Sequence, residues 1–570
     1  MTSHKRTALA DRFASTAAPR VALGAPLVLV SLAVLLAACG SDSGGSAACV
    51  GSACAPTEQS APPLMTAPGA SPEATPDTAV PAPTTNPEAP AVPLPIAGEM
   101  MPPVAGPAAA AAPPVMADAP ALLASVVKWY GAQRSGDGAN WLLTAAQAAD
   151  PARGTTCHLN DGESLGVDLS GGWYDAGDHV KVTLSIAYAS YVMLKAFDAF
   201  PTAFLDRDSE RYTGAPNGVP DVLDEARYAT DYLVKAHISD TQLVGMVGNA
   251  NQDHSQWVSC LEQEALPANQ GGRPRPVNTQ SNADIAGITA ASLALMARLY
   301  RSHDPALAEL YQSHALSIYQ IGKNSPMGSN PGLYGQNGEG WVDEMLAGSA
   351  ELYRLTNEAV YLDDALSFNT MIENHGWAPN YSQSADFSRH SLYVGGASEA
   401  VSEFWKLDVE SYAAKVSTNE FTNGYIYIDE WGSLRYAAGA AFSAALYAQV
   451  TGDTSARDLA VSQLNYIAGT NSYGRSFVVG YGNNPPQNPH HRNSDTLSVL
   501  LTGALVAGPT QREFVQRGGG GGMGIVITAP GYEDVVEDYV GNEVALDYNA
   551  GIVGLAAFGV VQQSAAAAPQ

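Results

Sequence analysis

Residues 285–300 read IAGITAASLALMARLY, and RSHDPALAELYQSHAL follows at 301–316 as a polar turn and a second helical segment. The same order, an Ala/Leu-rich helix ending in Leu-Tyr and then a turn and another helix, recurs around Leu352-Tyr353 and Leu446-Tyr447. Repeated helical hairpins predict stacked αα units, arranged as an open solenoid or a closed toroid. Because the first stretch is apolar over a wide face, its helix should be buried on more than one side, which favours the closed ring.

The overall composition agrees with one large globular region. The chain has 570 residues, of which 46% are apolar and 15% charged, and its net charge is −28. This apolar content can fill a large core, so disorder of the whole chain is excluded. The acidic balance excludes a nucleic-acid-binding protein, which would need a basic surface.

The first 118 residues differ from the remainder. Residues 1–38 are basic, then apolar, and end in Leu-Ala-Ala before Cys39, which predicts an export signal peptide. Leu-Ala-Ala-Cys resembles a bacterial lipobox, which implies lipidation of Cys39 and an exported lipoprotein of the outer membrane, cell surface or periplasm. An ordinary signal peptide and a retained single-span anchor are the alternatives. Residues 39–118, rich in Pro, Ala and Thr, predict a disordered linker, and 564–570 a disordered tail.

Four further cysteines are Cys49, Cys54, Cys157 and Cys260. In an exported protein they allow three pairings, and the sequence leaves the choice between them open. Cys49 with Cys54 and Cys157 with Cys260 is the simplest hypothesis. The chain has no CxxC pair, so a zinc ribbon is not supported.

Three segments concentrate the reactive side chains, and the first is GGWYDAGDH at 171–179. It places Asp175 and Asp178 three residues apart in a glycine-rich turn flanked by aromatic residues. Two such carboxylates suit the activation of water beside a stacked sugar. Taken alone, the segment fits a calcium-binding or turn-forming Asp-x-Gly-Asp equally well.

The second and third segments lie near the C-terminus. SFVVGYGNNPPQNPHHR at 476–492 ends in two histidines and an arginine, and alone it reads as a solvated polar loop without a metal-binding spacing. YEDVVEDYVGNEVALDYN at 532–549 leads into a very apolar helix. Its acids could form a solvated helix face, but Glu543 opens the apolar helix and should be partly buried. A helix N-terminus lowers a carboxyl pKa and desolvation raises it, so the sequence leaves the pKa of Glu543 open.

Together the three segments resemble glycoside hydrolase family 9, a family of inverting cellulases. GGWYDAGDHVK at 171–181 matches the first family motif, and the segments at 476–492 and 532–549 match the family's histidine and acidic signatures. The resemblance covers residues 119–563. It implies that this region is an all-α catalytic domain, an (α/α)6 barrel made of six helical hairpins.

The resemblance implies an endo-β-1,4-glucanase that hydrolyses cellulose or related β-glucans with inversion. Asp178 is then the general base, Asp175 helps to hold the attacking water, and Glu543 is the general acid. The alternatives are an exo-acting cellodextrinase, a hydrolase of another β-glucan, and a surface glycan-binding lipoprotein that has lost catalysis. The positions that match sugar-contacting residues of the family are His254, Trp377, Trp431, His490, Arg492 and Tyr548.

The reaction requires no cofactor, and a monomer is expected. Some family members hold a structural calcium through a Gly-x-x-Asp-Glu segment, which Gly340, Asp343 and Glu344 fit, so the resemblance implies a candidate calcium site. APNY at 378–381 stands where a further acidic ligand is expected. WVSCLEQEALP at 257–267, in place of the family's Trp-x-Arg-Pro-Glu, and the glycine run at 518–522 leave the number of sugar subsites open.

Overall fold

A computed structural model describes residues 114–115, 117–139, 141–150, 153–207, 214–334, 340–372, 376–517 and 525–567. The predicted signal peptide, Cys39, the pair Cys49 and Cys54, and most of the predicted linker lie outside the described residues. The lipobox and the first disulfide therefore stay predictions.

Helices dominate the described part of the chain, and twelve of them have eight residues or more. These are α1 (Ala119–Lys128), α2 (Thr183–Ala199), α3 (Asp221–Ala236), α4 (Ala283–Tyr300), α5 (Pro305–Asn324), α6 (Val342–Thr356), α7 (Ala359–Met371), α8 (Ala385–Leu392), α9 (Ser398–Ala414), α10 (Ser433–Thr451), α11 (Thr454–Ala468) and α12 (Leu546–Ala567). Shorter helical segments are Trp129–Gln133, Ala145–Ala148, Pro201–Ala203, Ala250–Asp253, Cys260–Glu264, Ala268–Gln270, Tyr393–Ala397 and Arg492–Leu497.

The even-numbered helices form a closed inner ring. Each packs on the next, from α2 to α4, α6, α8, α10 and α12, and α12 returns to pack on α2. The odd-numbered helices lie outside: α1 packs on α12, α3 on α2 and α4, α5 on α4, α7 on α6, α9 on α10, and α11 on α10. The chain thus alternates between outer and inner helices six times. This arrangement is the predicted all-α (α/α)6 barrel, and the prediction of closure is confirmed.

The inner helices close the ring because they are apolar on nearly every side. All residues of α4 from Ala283 to Ala297 are buried, whereas α5 buries mainly one face. Glycine permits the closest helix contacts, since a Cβ on Gly287 of α4 would lie 2.5 Å from backbone atoms of Glu344 in α6. By length and composition α4 and α12 could each span a membrane, but 89% of the window in α4 is buried within this fold.

Short strands occupy the connecting segments. In a three-stranded antiparallel sheet the central strand, Met246–Val247, lies between Lys181–Val182 and Val277–Asn278. Lys181 pairs with Val247, and Val247 pairs with Val277. The sheet joins the segment after Asp178 to the segment that precedes His254. The strands are β1 (Lys181–Val182), β2 (His237–Ser239), β3 (Gln242–Leu243), β4 (Met246–Val247), β5 (Val277–Asn278), β6 (Phe514–Arg517) and β7 (Ile525–Thr528); β2 pairs with β3, and β6 with β7.

The structure corrects the two predicted domain boundaries. The predicted linker, 39–118, extends too far, because Ala117 is buried and its carbonyl accepts a hydrogen bond from the Gln563 side chain at 2.6 Å. Asp118 accepts a hydrogen bond from the Ala121 N–H and caps α1. The predicted disordered tail, 564–570, is wrong for 564–567, because α12 continues through Ala567. Alanine is the strongest helix former, and each residue added to an existing helix gains a backbone hydrogen bond.

Candidate active site

The first segment places Asp175 directly beneath the start of α2. Asp175 is 2% exposed and accepts hydrogen bonds from the Ser185 hydroxyl and, at 2.7 Å, from the Tyr334 hydroxyl. Its backbone carbonyl accepts the N–H of Leu546, the first residue of α12, at 3.0 Å. Burial, with the nearby charge of Asp178, raises the pKa of Asp175 well above its usual value. Asp175 is therefore fixed between the first and last inner helices.

Asp178 is more accessible than Asp175 and pairs with a histidine. Its Oδ2 lies 2.7 Å from Nε2 of His254, and its Oδ1 accepts the backbone N–H of Val180 at 3.2 Å. Desolvation by itself lowers the pKa of His254, but the hydrogen bond and charge of Asp178 outweigh it, so the pKa is raised. The pair therefore favours the charged form of His254 and positions the Asp178 carboxyl beside it.

The second segment contacts the first through Gly177. A Cβ at this position would lie 2.4 Å from the carbonyl oxygen of His490 and 2.9 Å from Cα of His491, so only glycine permits the contact. The Arg492 N–H donates to the Gly177 carbonyl at 3.0 Å, and the His490 N–H donates to the Asn542 carbonyl at 2.8 Å. These backbone contacts bring together all three segments that the sequence singled out.

Glu543 lies three residues before α12, not within it as the sequence suggested. Its Oε2 accepts hydrogen bonds from the Trp431 indole N–H and from the Tyr548 hydroxyl, both at 3.1 Å. Burial is the main cause that raises the pKa of Glu543 to about 7, and the charge of Asp178 adds to it, while the two hydrogen bonds oppose it. Desolvation thus decides the question that the sequence left open, and Glu543 carries its proton up to about neutral pH.

Arg492 and His490 are held by protein groups. The buried Arg492 guanidinium contacts Asp253 Oδ1 at 2.6 Å, which fixes the residue before His254. His490 lies 2.6 Å from the Val536 carbonyl oxygen through Nδ1, and burial lowers its pKa to about 4, so the ring is neutral. Both residues therefore brace the cleft, and their contact with sugar stays a prediction.

The two predicted tryptophans present exposed rings. Trp431 is 41% exposed and lies against Tyr539 at a ring-centroid distance of 5.0 Å. Trp377 is 42% exposed and contacts Tyr436 edge-on at 5.5 Å. Arg435 lies between these groups, with its guanidinium 4.5 Å from the Tyr436 ring centroid. Exposed indoles on a rigid aromatic support are suited to stack on apolar sugar faces.

Several side chains at the site were not selected from the sequence. Ser185 and Tyr334 contact Asp175, while the Trp257 ring lies 4.7 Å from the His490 ring at a tilt of 50° and its indole N–H donates to Asp495. Trp257 lies within a segment that resembles the family, so that signal was available. Ser185 lies in an apolar helix and Tyr334 in a loop, and neither carries a motif that distinguishes it.

A disulfide joins Cys157 to Cys260 across 103 residues of sequence, which confirms this half of the simplest pairing. Cys260 begins the short helix Cys260–Glu264. Gln263 of that helix bonds Asp253 and lies 3.0 Å from Nδ1 of His179. The disulfide therefore anchors the segment that departs from the family pattern beneath the loop of Asp178.

The candidate calcium ligands lie in the first turn of α6. Asp343 and Glu344 are buried, and Asp343 accepts the Ser384 N–H at 2.5 Å. Burial and the charge of Asp343 raise the pKa of Glu344 well above its usual value. Two adjacent buried acids would be stabilised by a bound cation. Asn380, near the expected further acid, bonds the Ala378 carbonyl instead, at 2.9 Å.

The architecture and the site together define a class of enzyme. A closed ring of six helical hairpins that brings the Glu543 and Asp178 carboxyls together beside exposed aromatic rings fits a glycoside hydrolase. The sequence model of "Glycosyl hydrolase family 9" matches residues 120–556. The chain belongs to that family, which confirms the resemblance.

Relatives and solved structures agree with this assignment. Endoglucanase A of Bacillus pumilus is 31% identical over 431 residues, which cover 70% of this chain and 60% of that protein. The structure of the endoglucanase from the termite Nasutitermes takasagoensis is 29% identical with a TM-score of 0.64, covering 78% of this chain and 100% of that one. The cellulase Cel9M of C. cellulolyticum, solved in complex with cellobiose, is 27% identical with a TM-score of 0.62, covering 78% and 99%.

Proposed function

We propose that this protein is an endo-β-1,4-glucanase that hydrolyses cellulose or a related β-glucan with inversion of the anomeric carbon. One observation carries the proposal: Glu543, with a pKa of about 7, shares a cleft with Asp178, whose carboxylate is paired with His254. An inverting glycosidase needs one protonated carboxyl and one carboxylate on opposite faces of the sugar. The raised pKa of Glu543 suits the proposed acid, and the more accessible Asp178 suits the proposed base.

In the proposed reaction Asp178 takes a proton from water, and the water oxygen attacks the anomeric carbon. The bond from that carbon to the leaving oxygen breaks as Glu543 gives its proton to this oxygen. Asp178 ends protonated and Glu543 ends as a carboxylate, and exchange with solvent restores both. Asp175, held by Ser185 and Tyr334, helps to orient the attacking water.

The substrate class is supported by the relatives and by the cleft chemistry. Cel9M was solved with cellobiose, and the Bacillus pumilus and termite relatives are named endoglucanases. Trp377 and Trp431 offer exposed rings for stacking on glucose units, and His254, His490, Arg492 and Tyr548 are the other proposed sugar contacts. An acidic protein is compatible with a neutral polysaccharide. An exo-acting cellodextrinase or another β-glucanase remains the alternative within this class.

Two substitutions test the proposed roles. We expect Asp178→Asn and Glu543→Gln each to abolish hydrolysis of carboxymethylcellulose while cello-oligosaccharide binding, measured by calorimetry, is retained. Glu537→Gln is the matched control, because Glu537 is an exposed acid in the same segment as Glu543. If either substitution leaves wild-type turnover, the assigned roles are wrong. Binding of cello-oligosaccharides by the wild-type protein without any hydrolysis would instead favour the glycan-binding alternative.

The stereochemistry and the mode of cleavage have separate tests. NMR of the earliest products should detect the α-anomer, and initial release of the β-anomer would contradict inversion. A product-length profile over time on soluble glucan should contain mixed oligosaccharides early in the reaction. Cellobiose alone from the start would favour the exo-acting alternative.

The remaining expectations are part of the same proposal. Asp343 and Glu344 would hold a calcium ion that supplies positive charge to two buried acids, and chelation should then lower the Tm. Lipidation of Cys39 would place the enzyme on a bacterial membrane, as a monomer on a proline-rich stalk. Labelled fatty acid should be incorporated into the wild-type chain and not into Cys39→Ser.

A further inference from the structure

Two histidines face each other on the outer helices of the barrel. His237 directly follows α3 and begins β2, and His314 lies in α5. Their Nδ1 atoms are 2.9 Å apart, and the ring planes are inclined by 80°. Both side chains are half-buried, and neither takes part in the proposed hydrolysis.

The groups behind His237 fix its tautomer. The Ser317 hydroxyl donates to Asp240 Oδ1 at 3.1 Å, and Ser317 Oγ lies 3.3 Å from His237 Nε2. Because the hydroxyl proton is used on Asp240, Ser317 must accept the Nε2–H of His237. This leaves the lone pair of His237 on Nδ1, where it faces His314.

A metal ion binds the lone pair of a neutral imidazole. Without metal, the Nδ1–H of His314 donates to Nδ1 of His237, and metal binding would move that proton to Nε2 of His314.

We propose that His237 and His314 form a binding site for a divalent transition-metal ion, copper(II) or nickel(II), which links α3 to α5. An ion about 2.0–2.1 Å from two nitrogens that are 2.9 Å apart subtends an angle of about 90°. That is the angle between neighbouring ligands in the tetragonal geometry of these two ions. A tetrahedral zinc site would need the rings to move apart.

Ser317 and Asp240 hold His237 in the way that partner groups hold metal-binding histidines. A ligating histidine commonly donates its other ring N–H to a partner that fixes the ring, and Ser317, itself held by Asp240, is such a partner. Asp240 is exposed and adds a negative charge beside the proposed ion. Water completes the coordination.

The test is calorimetric titration of nickel(II) into the untagged full-length protein at pH 7.5. We expect one ion per chain, with an affinity that falls more than about tenfold in His314→Ala and in His237→Gln, and by about tenfold in Ser317→Ala. His303→Ala is the matched control, since His303 is an exposed histidine in the turn between α4 and α5, and it should titrate as wild type. Retained hydrolysis by each variant establishes that it is folded.

Copper(II) EPR provides a second readout. The wild-type spectrum should contain hyperfine coupling to two nitrogens, and His314→Ala should leave one. The proposal is overturned if His314→Ala and His237→Gln bind nickel(II) as tightly as wild type. It is also overturned if the ion is lost in His254→Ala, because Asp178, Asp253 and His254 are close enough to hold a cation in the cleft.

Discussion

Helix α2 carries a buried acidic cluster at each end, and the two clusters differ in how their charge is compensated. At the N-terminal end Ser185 contacts Asp175, whose pKa is raised well above its usual value by burial and by Asp178. Lys195 and Asp198 belong to the other cluster, and Lys195 lies about 15 Å further along the helix axis than Ser185. Both clusters are enclosed by the same ring of helices.

The buried acids of the C-terminal cluster are paired with lysine and arginine side chains. Lys195 lies 3.0 Å from Glu351, while Arg298 lies 2.8 Å and Arg354 2.5 Å from the same oxygen of Asp198. Burial alone would raise the pKa values of Asp198 and Glu351, but Lys195 and the two arginines outweigh it and lower both. These acids are ionised and structural.

The N-terminal cluster lacks this compensation. In the described part of the chain, no lysine or arginine forms an ion pair with Asp175 or Glu543. Their hydrogen-bond partners are neutral hydroxyl and indole groups. The general acid proposed at Glu543 requires such an uncompensated environment to keep its proton near neutral pH. The comparison indicates that ion pairs stabilise the buried acids at the C-terminal end of α2, whereas the buried acids at the N-terminal end lower the stability of the fold when they ionise.

The largest effect should follow from removing the cation of the compensated cluster. Lys195→Met leaves Glu351 buried without its closest cation, and we expect a loss of about 3–5 kcal/mol in the free energy of unfolding, measured in urea. Lys323→Met is the control, because Lys323 pairs with Asp364 at 37% exposure and should change stability by less than about 1 kcal/mol. Equal losses in the two variants would contradict the comparison.

Glu543→Gln is expected to increase the free energy of unfolding at alkaline pH. The folded pKa of about 7 lies above the usual 4.5, so wild-type stability is complete below pH 4.5 and falls as the pH rises to about 7. Glutamine does not ionise, and the variant should match wild type at pH 4 but exceed it at pH 8 by up to about 3 kcal/mol. A stability difference that is the same at both pH values would refute this explanation. Glu537→Gln should leave the stability unchanged at both pH values.

The sequence predicted the ring and the three site segments because these are encoded locally. Hairpin repeats appear as helical periodicity, and the motifs that hold Asp175, Asp178 and Glu543 are contiguous. The pKa of Glu543 was not predictable, because it depends on burial by residues distant in sequence, such as Trp431. The sequence also could not place the helix start after Glu543 rather than at it.

The missed contacts share one physical cause. Ser185 reaches Asp175, and Tyr334 reaches it across 159 residues of sequence, only after the ring closes. The boundary errors have a different origin: composition marked Ala117 and the alanines near Ala567 as disordered, but Ala117 is buried and bonded by Gln563, and the alanines extend α12. Composition alone does not show which residues pack against or extend a neighbouring helix.

A smaller effect is expected from weakening the support of Asp175. Ser185→Ala removes one hydrogen bond to this carboxyl, and we expect kcat to fall roughly tenfold with little change in KM, because a charged-group hydrogen bond contributes about 1.5 kcal/mol. Ser190→Ala in the same helix is the matched control, since among the described residues Ser190 bonds only Ser292 and the Ala187 carbonyl. An unchanged kcat in Ser185→Ala would mean that Tyr334 alone positions Asp175.

The smallest effect concerns the donors to Glu543. The Tyr548 hydroxyl stabilises the ionised form of Glu543 and lowers its pKa, so Tyr548→Phe should raise that pKa. Because a general acid acts while protonated, the fall of kcat/KM above about pH 7 should move to higher pH by up to about one unit. Tyr473→Phe, which removes a hydroxyl bonded to the Phe421 carbonyl, should leave the profile in place. A shift to lower pH in Tyr548→Phe would mean that the hydroxyl stabilises the protonated form of Glu543. The raised pKa of Glu543 would then be due to hydrogen bonding rather than to burial.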